Sequence, residues 1–247
     1  MALVSLQKYL AGAGLCSRRA AKDLMREGRV AVDGVPAVKV CDKFDPEIST
    51  LTVDGKAVPG PQAPAHYMFH KPTGYLTTFD DPQGRPTVKP FLDRLPGRVY
   101  PVGRLDMDVS GLLILTNDGE LAKRLMHPSY LIPKVYRAIV SGLPGRAELD
   151  TLRHGELIID GRPAAAAKAK ILRDGPDEGW LELILTEGRH RQVKRMCAAI
   201  GHPVKRLKRV AYCDLWLPGD LMAGDSRKLT PGEINHLRAQ VGLDPMA

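Results

Sequence analysis

Leu112-Leu113-Ile114-Leu115 is an unbroken apolar run, closed by Asn117-Asp118-Gly119. A run of that length ending in turn residues predicts a buried strand entering a turn. Lys134 to Ser141 alternates Tyr136, Ala138 and Val140 on one face with Val135, Arg137 and Ile139 on the other. That period of two predicts a strand. Trp180 to Thr186 sets Leu181, Leu183 and Leu185 against Glu182 and Ile184, which fits a largely buried strand. Tyr67-Met68-Phe69 and Tyr75 to Phe79 read as strands too. Helical spacing appears at Val193, Met196, Cys197 and Ile200, with Gly201 as the stop. Thr230-Pro231-Gly232-Glu233 is a capping box with proline at the first helical position, and Ile234, Leu237 and Val241 mark the helix it starts.

The first residues follow a different pattern. Leu6, Leu10 and Leu15 suggest a short helix ending near Gly12 or Gly14. Ser17 suits the N-cap of a second helix, with Ala20, Ala21, Leu24 and Met25 on its apolar face and Gly28 as its stop. Val30-Ala31-Val32 before Asp33-Gly34 reads as a strand and tight turn, and Val53-Asp54-Gly55-Lys56 repeats the turn signal. Pro59, Pro61 and Pro64 break regular structure between this part and the rest. The expected organisation is a small module over residues 1–60, a Pro-rich linker over 61–66 and a larger body over 67–247. The mixture predicts an α+β fold: a small α/β module, then a body with a mostly antiparallel mixed sheet flanked by helices.

Composition narrows the class. The 247 residues are 44% hydrophobic and 26% charged, an ordinary globular balance. No window approaches eighteen uninterrupted apolar residues, so no membrane span is expected. The N-terminal run has no positive region ahead of an apolar core, so no signal peptide is expected. Cys16, Cys41, Cys197 and Cys213 form no C-x-x-C pair, and no histidine cluster has zinc-site spacing. Reduced thiols in the cytoplasm are the simplest account. The net charge of +8 is unevenly placed. Residues 186–209 carry eight cations against Glu187 alone. Residues 1–30 carry Lys8, Arg18, Arg19, Lys22, Arg26 and Arg29 against Asp23 and Glu27. Two separate basic clusters point to a long polyanion rather than a small acidic metabolite.

The candidate chemistry sits just before the apolar run. Asp106 lies in a glycine-flanked loop at the mouth of the predicted strand. Most such loop aspartates only accept bonds from nearby backbone N–H groups. The surrounding residues say more. Gly103-Arg104-Leu105-Asp106, Ser110-Gly111-Leu112-Leu113 and Thr116-Asn117-Asp118-Gly119 together resemble the catalytic motif of the RsuA-type pseudouridine synthases. His70-Lys71-Pro72-x-Gly74 resembles the first motif of that family, Lys134-Val135-Tyr136 its tyrosine motif, and Glu187 to Met196 its late basic motif. The motifs come in the family's order and span residues 66–212. The N-terminal module resembles an RNA-binding domain of the ribosomal protein S-four type.

The resemblance implies a specific reaction. The bond from ribose to ring nitrogen 1 of uracil breaks, the base turns, and carbon 5 takes its place. No redox change, phosphoryl group or external water enters, so no cofactor and no metal is expected. The family's acting carboxylate falls on Asp106, its cationic partner on Arg189 and its active-site tyrosine on Tyr136. A guanidinium suits that pairing because it gives a carboxylate two parallel hydrogen bonds. Arg104 would fill the space left by a flipped uridine or hold the adjoining phosphate. Lys71, Arg191, Lys194 and Arg195 are expected RNA contacts in the body, and Arg18, Arg19, Lys22 and Arg26 in the module. Ala164 to Lys170 has helix propensity, but the family pattern implies a strand there.

The implied protein is a monomeric ribosomal RNA pseudouridine synthase, meeting rRNA or a pre-ribosomal particle and no membrane. The segment Asp80 to Thr87 resembles the branch acting on 23S large-subunit rRNA, and the 16S small-subunit branch is the alternative. A non-catalytic RNA-binding assembly protein would need none of Asp106, Tyr136 and Arg189. A magnesium pair of Asp106 and Asp108 is opposed by their alternate positions on an extended chain.

Overall fold

The computed structural model describes residues 3–37, 39, 42–159, 161–173 and 177–246. Cys41 lies outside the described residues. The chain divides into two compact units, Met1–Pro64 and Ala65–Ala247.

In the first unit, helices α1 (Leu6–Gly12) and α2 (Arg18–Arg26) precede a four-stranded antiparallel sheet. Its strands are β1 (Val30–Val32), β2 (Val35–Pro36), β3 (Leu51–Val53) and β4 (Lys56–Ala57), in the order β2-β1-β3-β4. Ser17 caps α2 by accepting from the Ala20 N–H at 3.0 Å. Asp33 and Gly34, and again Asp54 and Gly55, all have positive φ. Two successive positive-φ residues give the turn whose twist matches a hairpin. Leu6, Leu10, Ala21, Met25, Val30, Phe44 and Leu51 are buried together. Ala20, expected on the apolar face of α2, is exposed instead. The buried stripe is the narrower pair Ala21 and Met25, four residues apart. Leu15 is likewise exposed, beyond the end of α1.

In the second unit, seven strands form a continuous path: β5 (His66–Lys71), β6 (Val109–Thr116), β7 (Lys134–Ser141), β8 (Lys168–Arg173), β9 (Glu178–Leu185), β10 (Val204–Tyr212) and β11 (Ser226–Lys228). Their order is β8-β9-β7-β10-β6-β5-β11. Only β10 and β6 run parallel along this path. Helices α3 (Gly119–Met126), α4 (Arg146–His154), α5 (Gln192–Ala199) and α6 (Pro231–Gln240) bury their apolar faces against the sheet. Leu149, Leu152, Val193 and Met196 pack with Ala138, Leu181 and Leu183. Leu121, Leu125 and Leu237 pack with Met68, Leu112 and Ile114. Each fully buried side chain of this kind contributes roughly 1.5–3 kcal/mol.

The segment Tyr75 to Phe79 forms no strand. It contributes one isolated bridge, Leu76 to Thr87, and its rings pack edge-on, Tyr75 against Phe91 and Phe79 against Tyr100. Tyr75 and Phe79 are half-buried through ring contacts rather than through a ladder, and the Thr77 hydroxyl bonds the Leu105 backbone. Of Ala164 to Lys170, the last three residues open strand β8, while 164–167 are irregular. Helices α3 and α4 carry no counterpart in the sequence reading. Asp118 opens α3 as its N-cap, accepting from Glu120 N at 3.1 Å and Leu121 N at 3.0 Å.

One glycine fixes how the parallel pair closes. Gly111 stands opposite Arg209 with φ +121°. A β-carbon there would meet the Arg209 carbonyl oxygen at 2.1 Å, so no other residue fits without moving the strand.

Candidate active site

Asp106 sits in the loop between a short strand at Tyr100–Pro101 and β6. Three side or main chains of the preceding segment hold that loop. The Lys71 ammonium donates to the carbonyl oxygens of Pro72 (3.0 Å), Asp106 (3.1 Å) and Val109 (3.0 Å). The Thr77 hydroxyl donates to Leu105 O at 2.7 Å and accepts from Leu105 N at 3.2 Å. Gly74 N donates to Met107 O at 2.7 Å. Fixing the backbone on both sides of Asp106 fixes the direction of its side chain.

The Asp106 carboxylate is half-buried. Among the described residues no group donates a hydrogen bond to it. It borders a cavity of about 570 Å³ that lies wholly within the second unit. Tyr136 and Arg209, on adjacent positions of β7 and β10, line the same cavity, with Arg104, Arg189 and Arg191 around its rim. A volume of this order accommodates a nucleotide-sized ligand.

Three expected roles are corrected by this geometry. Lys71 is no RNA contact: it is completely buried and its three donors are taken by the loop. Burial pulls its ammonium down to about 8, against the opposing influence of Asp108 and Asp106. Lys194 is also turned inward, with its side chain only 13% exposed and ion-paired to Asp108. That ion pair takes up the second carboxylate of the suggested magnesium pair. Among the described residues no group of three or more His, Cys, Asp or Glu is arranged to hold a metal. Third, the Asp106–Arg189 pair is not formed. Arg189 Nε reaches Glu187 at 3.2 Å, and Nη1 reaches Ile159 O and Arg162 O, each at 3.2 Å. Nη2 donates to Pro163 O. The nearer acid in the sequence and a ring of carbonyls take four of the five N–H donors of the fork and turn it away from Asp106.

The other expected residues fall in two places. Arg104 and Arg191 are exposed at the cavity. Arg195, one turn into α5, is half-buried and donates to His190 O at 3.1 Å. Arg18, Arg19 and Arg26 are exposed on α2 and Lys22 is half-buried there, with Arg26 near Asp23 at 3.4 Å. Residues 18, 22 and 26 lie four apart and so share one helical face.

Three further residues around the cavity are not marked as site residues by any sequence pattern. Thr77 carries no signal, since an exposed loop threonine reads the same way. Lys134 donates to Ile132 O at 2.8 Å and Thr186 O at 3.2 Å, and burial followed by repulsion from Arg209 brings it down to about 8. Arg209 is 3% exposed. Its Nε donates to Leu112 O at 2.8 Å, its guanidinium lies 5.1 Å from the Tyr212 ring, and its buried Nη2 has no hydrogen-bond partner among the described residues. Its place in a basic run was visible, but its burial was not. Cys197 and Cys213 are free, and burial pushes both thiols up to about 12, so neither is a nucleophile at neutral pH.

Residues 65–199 match the family model described as RNA pseudouridylate synthase. The chain belongs to that family. Residues 4–40 match the S4 domain, the RNA-binding type that the first helices resemble. The ribosomal large subunit pseudouridine synthase B of Bacillus subtilis is 44% identical over 240 residues, 95% of each chain. The protein of the same name in Escherichia coli O157:H7 is 40% identical, over 97% of this chain and 84% of that one. An uncharacterized RNA pseudouridine synthase of Aquifex aeolicus is 43% identical over 97% of this chain and 96% of its own length. A crystal structure of a pseudouridylate synthase superposes with a TM-score of 0.68 at 29% identity, covering 94% of this chain and 98% of that one. The α+β architecture with an S4 domain and a mixed-sheet catalytic unit is therefore that of a pseudouridine synthase. Among the described residues no helix is long and apolar enough to cross a membrane.

Proposed function

We propose that this chain isomerises one uridine of large-subunit ribosomal RNA to pseudouridine, with Asp106 as the acting carboxylate. The observation that carries this reading is the Asp106 side chain: backbone-clamped, without a hydrogen-bond donor among the described residues, and facing a cavity shared with Tyr136. The names of the Bacillus subtilis and Escherichia coli relatives support the large subunit as substrate.

In this reading the target uridine leaves its stack and enters the cavity, the usual cost of chemistry on a base. The ionised Asp106 assists breakage of the bond between the sugar and nitrogen 1. The base turns and carbon 5 bonds to the sugar. The proton on carbon 5 leaves and nitrogen 1 gains one, so the sum is an isomerisation without a co-reactant. Tyr136 packs its ring on the base and sets its hydroxyl beside the carbon that loses the proton. Arg189, held by Glu187, shapes the wall instead of pairing with the carboxylate. Arg104 and Arg191 meet phosphates at the rim, and Arg18, Arg19, Lys22 and Arg26 meet them from the S4 unit. The protein works as a monomer, in the cytoplasm, on rRNA or a pre-ribosomal particle.

The test is to map pseudouridines in both rRNAs from cells with and without the gene. Loss of one large-subunit pseudouridine, restored by the wild-type gene and not by Asp106→Asn, is the expected result. Loss of a small-subunit site instead would move the substrate assignment, and an unchanged map would remove it.

A further inference from the structure

The basic run over residues 186–209 does not all face the cavity. Neighbours on β7 and β10 point to opposite sides of the sheet. Tyr136, Leu207 and Arg209 line the cavity, so Arg137, Arg206 and Lys208 project from the other face. Two rows cross that face over four strands. One is Lys170, Glu182, Arg137 and Lys208. The next is Arg173, Trp180, Ile139 and Arg206. Lys170, Arg137, Arg173 and Arg206 are exposed, and Trp180 is 39% exposed. Strands about 4.8 Å apart make this a platform roughly 15 Å wide.

The charge on the platform is unbalanced. Among the described residues of these two rows the one carboxylate, Glu182, is nearly buried and already shared by Lys170 at 2.8 Å and Arg137 at 3.2 Å, and Glu178, the next residue on this face of β9, is held by Lys205 at 3.0 Å. Arg137 and Lys208 are like charges at directly paired positions, an arrangement that costs stability in a sheet. Burial and then the Arg137 charge hold the Lys208 ammonium below its ordinary value. A merely solvated sheet face would alternate signs to relieve this. A polyanion relieves it directly.

We propose that this outer face of the catalytic sheet is a second RNA-binding surface. It takes phosphates of the substrate RNA away from the nucleotide held in the cavity, and Trp180 stacks an unpaired base between the cations. The proposal rests on RNA as the substrate of the same unit. It explains why a basic run continues through β10 after leaving the cavity wall.

The test uses the full chain with Arg173→Gln, Arg206→Gln and Lys208→Gln combined. Arg137 and Lys170 stay, so Glu182 keeps its partners. Binding is measured against salt for two labelled RNAs: a long rRNA domain and a short stem-loop carrying only the target uridine. The triple variant should lower the log–log salt slope for the long RNA by about 2–3, at roughly 0.7–0.9 per lost phosphate contact. Affinity for the stem-loop and single-turnover rate on it should not change. The single reversal Arg206→Glu, at an exposed position, should weaken the long RNA further than Arg206→Gln. An unchanged slope for the long RNA overturns the proposal, and so does an equal loss on both RNAs. Wild-type turnover on the stem-loop separately checks the underlying enzyme reading.

Discussion

The Lys71 ammonium reaches the carbonyl oxygen of Asp106 at 3.1 Å, not its carboxylate. A buried cation thus supports the Asp106 loop through its backbone while the acidic side chain faces the cavity. Lys71→Met keeps an unbranched apolar stem one atom shorter and removes three hydrogen bonds. It should lower turnover well beyond any loss of RNA affinity, because the loop loses its fixed direction. Equal kcat in a folded Lys71→Met preparation would show that the loop holds itself.

The same residue gives a pH dependence with a definite sign. Lys71 goes from an ordinary 10.5 in the unfolded chain to about 8 in the folded one. Between those values the unfolded chain binds the proton more tightly, so this group's contribution to stability grows as pH rises from about 8 to 10.5. The unfolding free energy of wild type minus that of Lys71→Met should therefore rise across that window, by up to about 1.4 kcal/mol per pH unit. A signed difference that falls or stays flat over the window contradicts the burial argument. Denaturant titrations at several pH values measure it.

Gly111→Ala should cost about 2–4 kcal/mol, through strain at positive φ and collision with the Arg209 backbone. Because the collision displaces β10 beside the cavity, activity should fall further than stability alone explains. A variant with wild-type melting and activity would mean the two strands tolerate separation.

Arg189→Gln should act on stability more than on chemistry. The arginine ties Glu187 to the carbonyls of Ile159, Arg162 and Pro163, and charged hydrogen bonds of this kind contribute roughly 1.5–3 kcal/mol. A folded Arg189→Gln enzyme should retain much of its single-turnover rate at low temperature. Complete loss of rate with unchanged melting would return to Arg189 the role of charge partner to Asp106.

The hydrophobic pattern makes β6, β7 and β9 legible because each buries one or both faces, and period and composition then agree. The capping box at Thr230 is legible for a similar reason: Thr230 and Glu233 satisfy one another locally. Helix α3 is not, because Asn117-Asp118-Gly119 reads equally as a turn and as an N-cap. At the site, motif order brings Asp106, Tyr136 and Arg189 to one cavity. What sequence does not carry is how each cation is spent. Lys71 and Arg209 read as surface charges and are buried, while Arg189 chooses Glu187 over Asp106. Those choices depend on which carbonyls the tertiary fold brings within reach.

Tyr136→Phe retains the ring and deletes only the hydroxyl. RNA affinity should hold while single-turnover rate falls by about 10²–10⁴-fold, the usual range for a positioned proton-transfer group. An unchanged rate would make Tyr136 a packing residue of β7.

The central claim is that the ionised Asp106 carboxylate performs the chemistry. Asp106→Asn keeps the size of the side chain and removes its charge. The decisive measurement is single-turnover pseudouridine formation on an rRNA fragment with saturating enzyme, alongside the Kd for the same RNA. No detectable product with Kd within a few-fold of wild type is the predicted result. Product formed at the wild-type rate by pure Asp106→Asn would contradict the account.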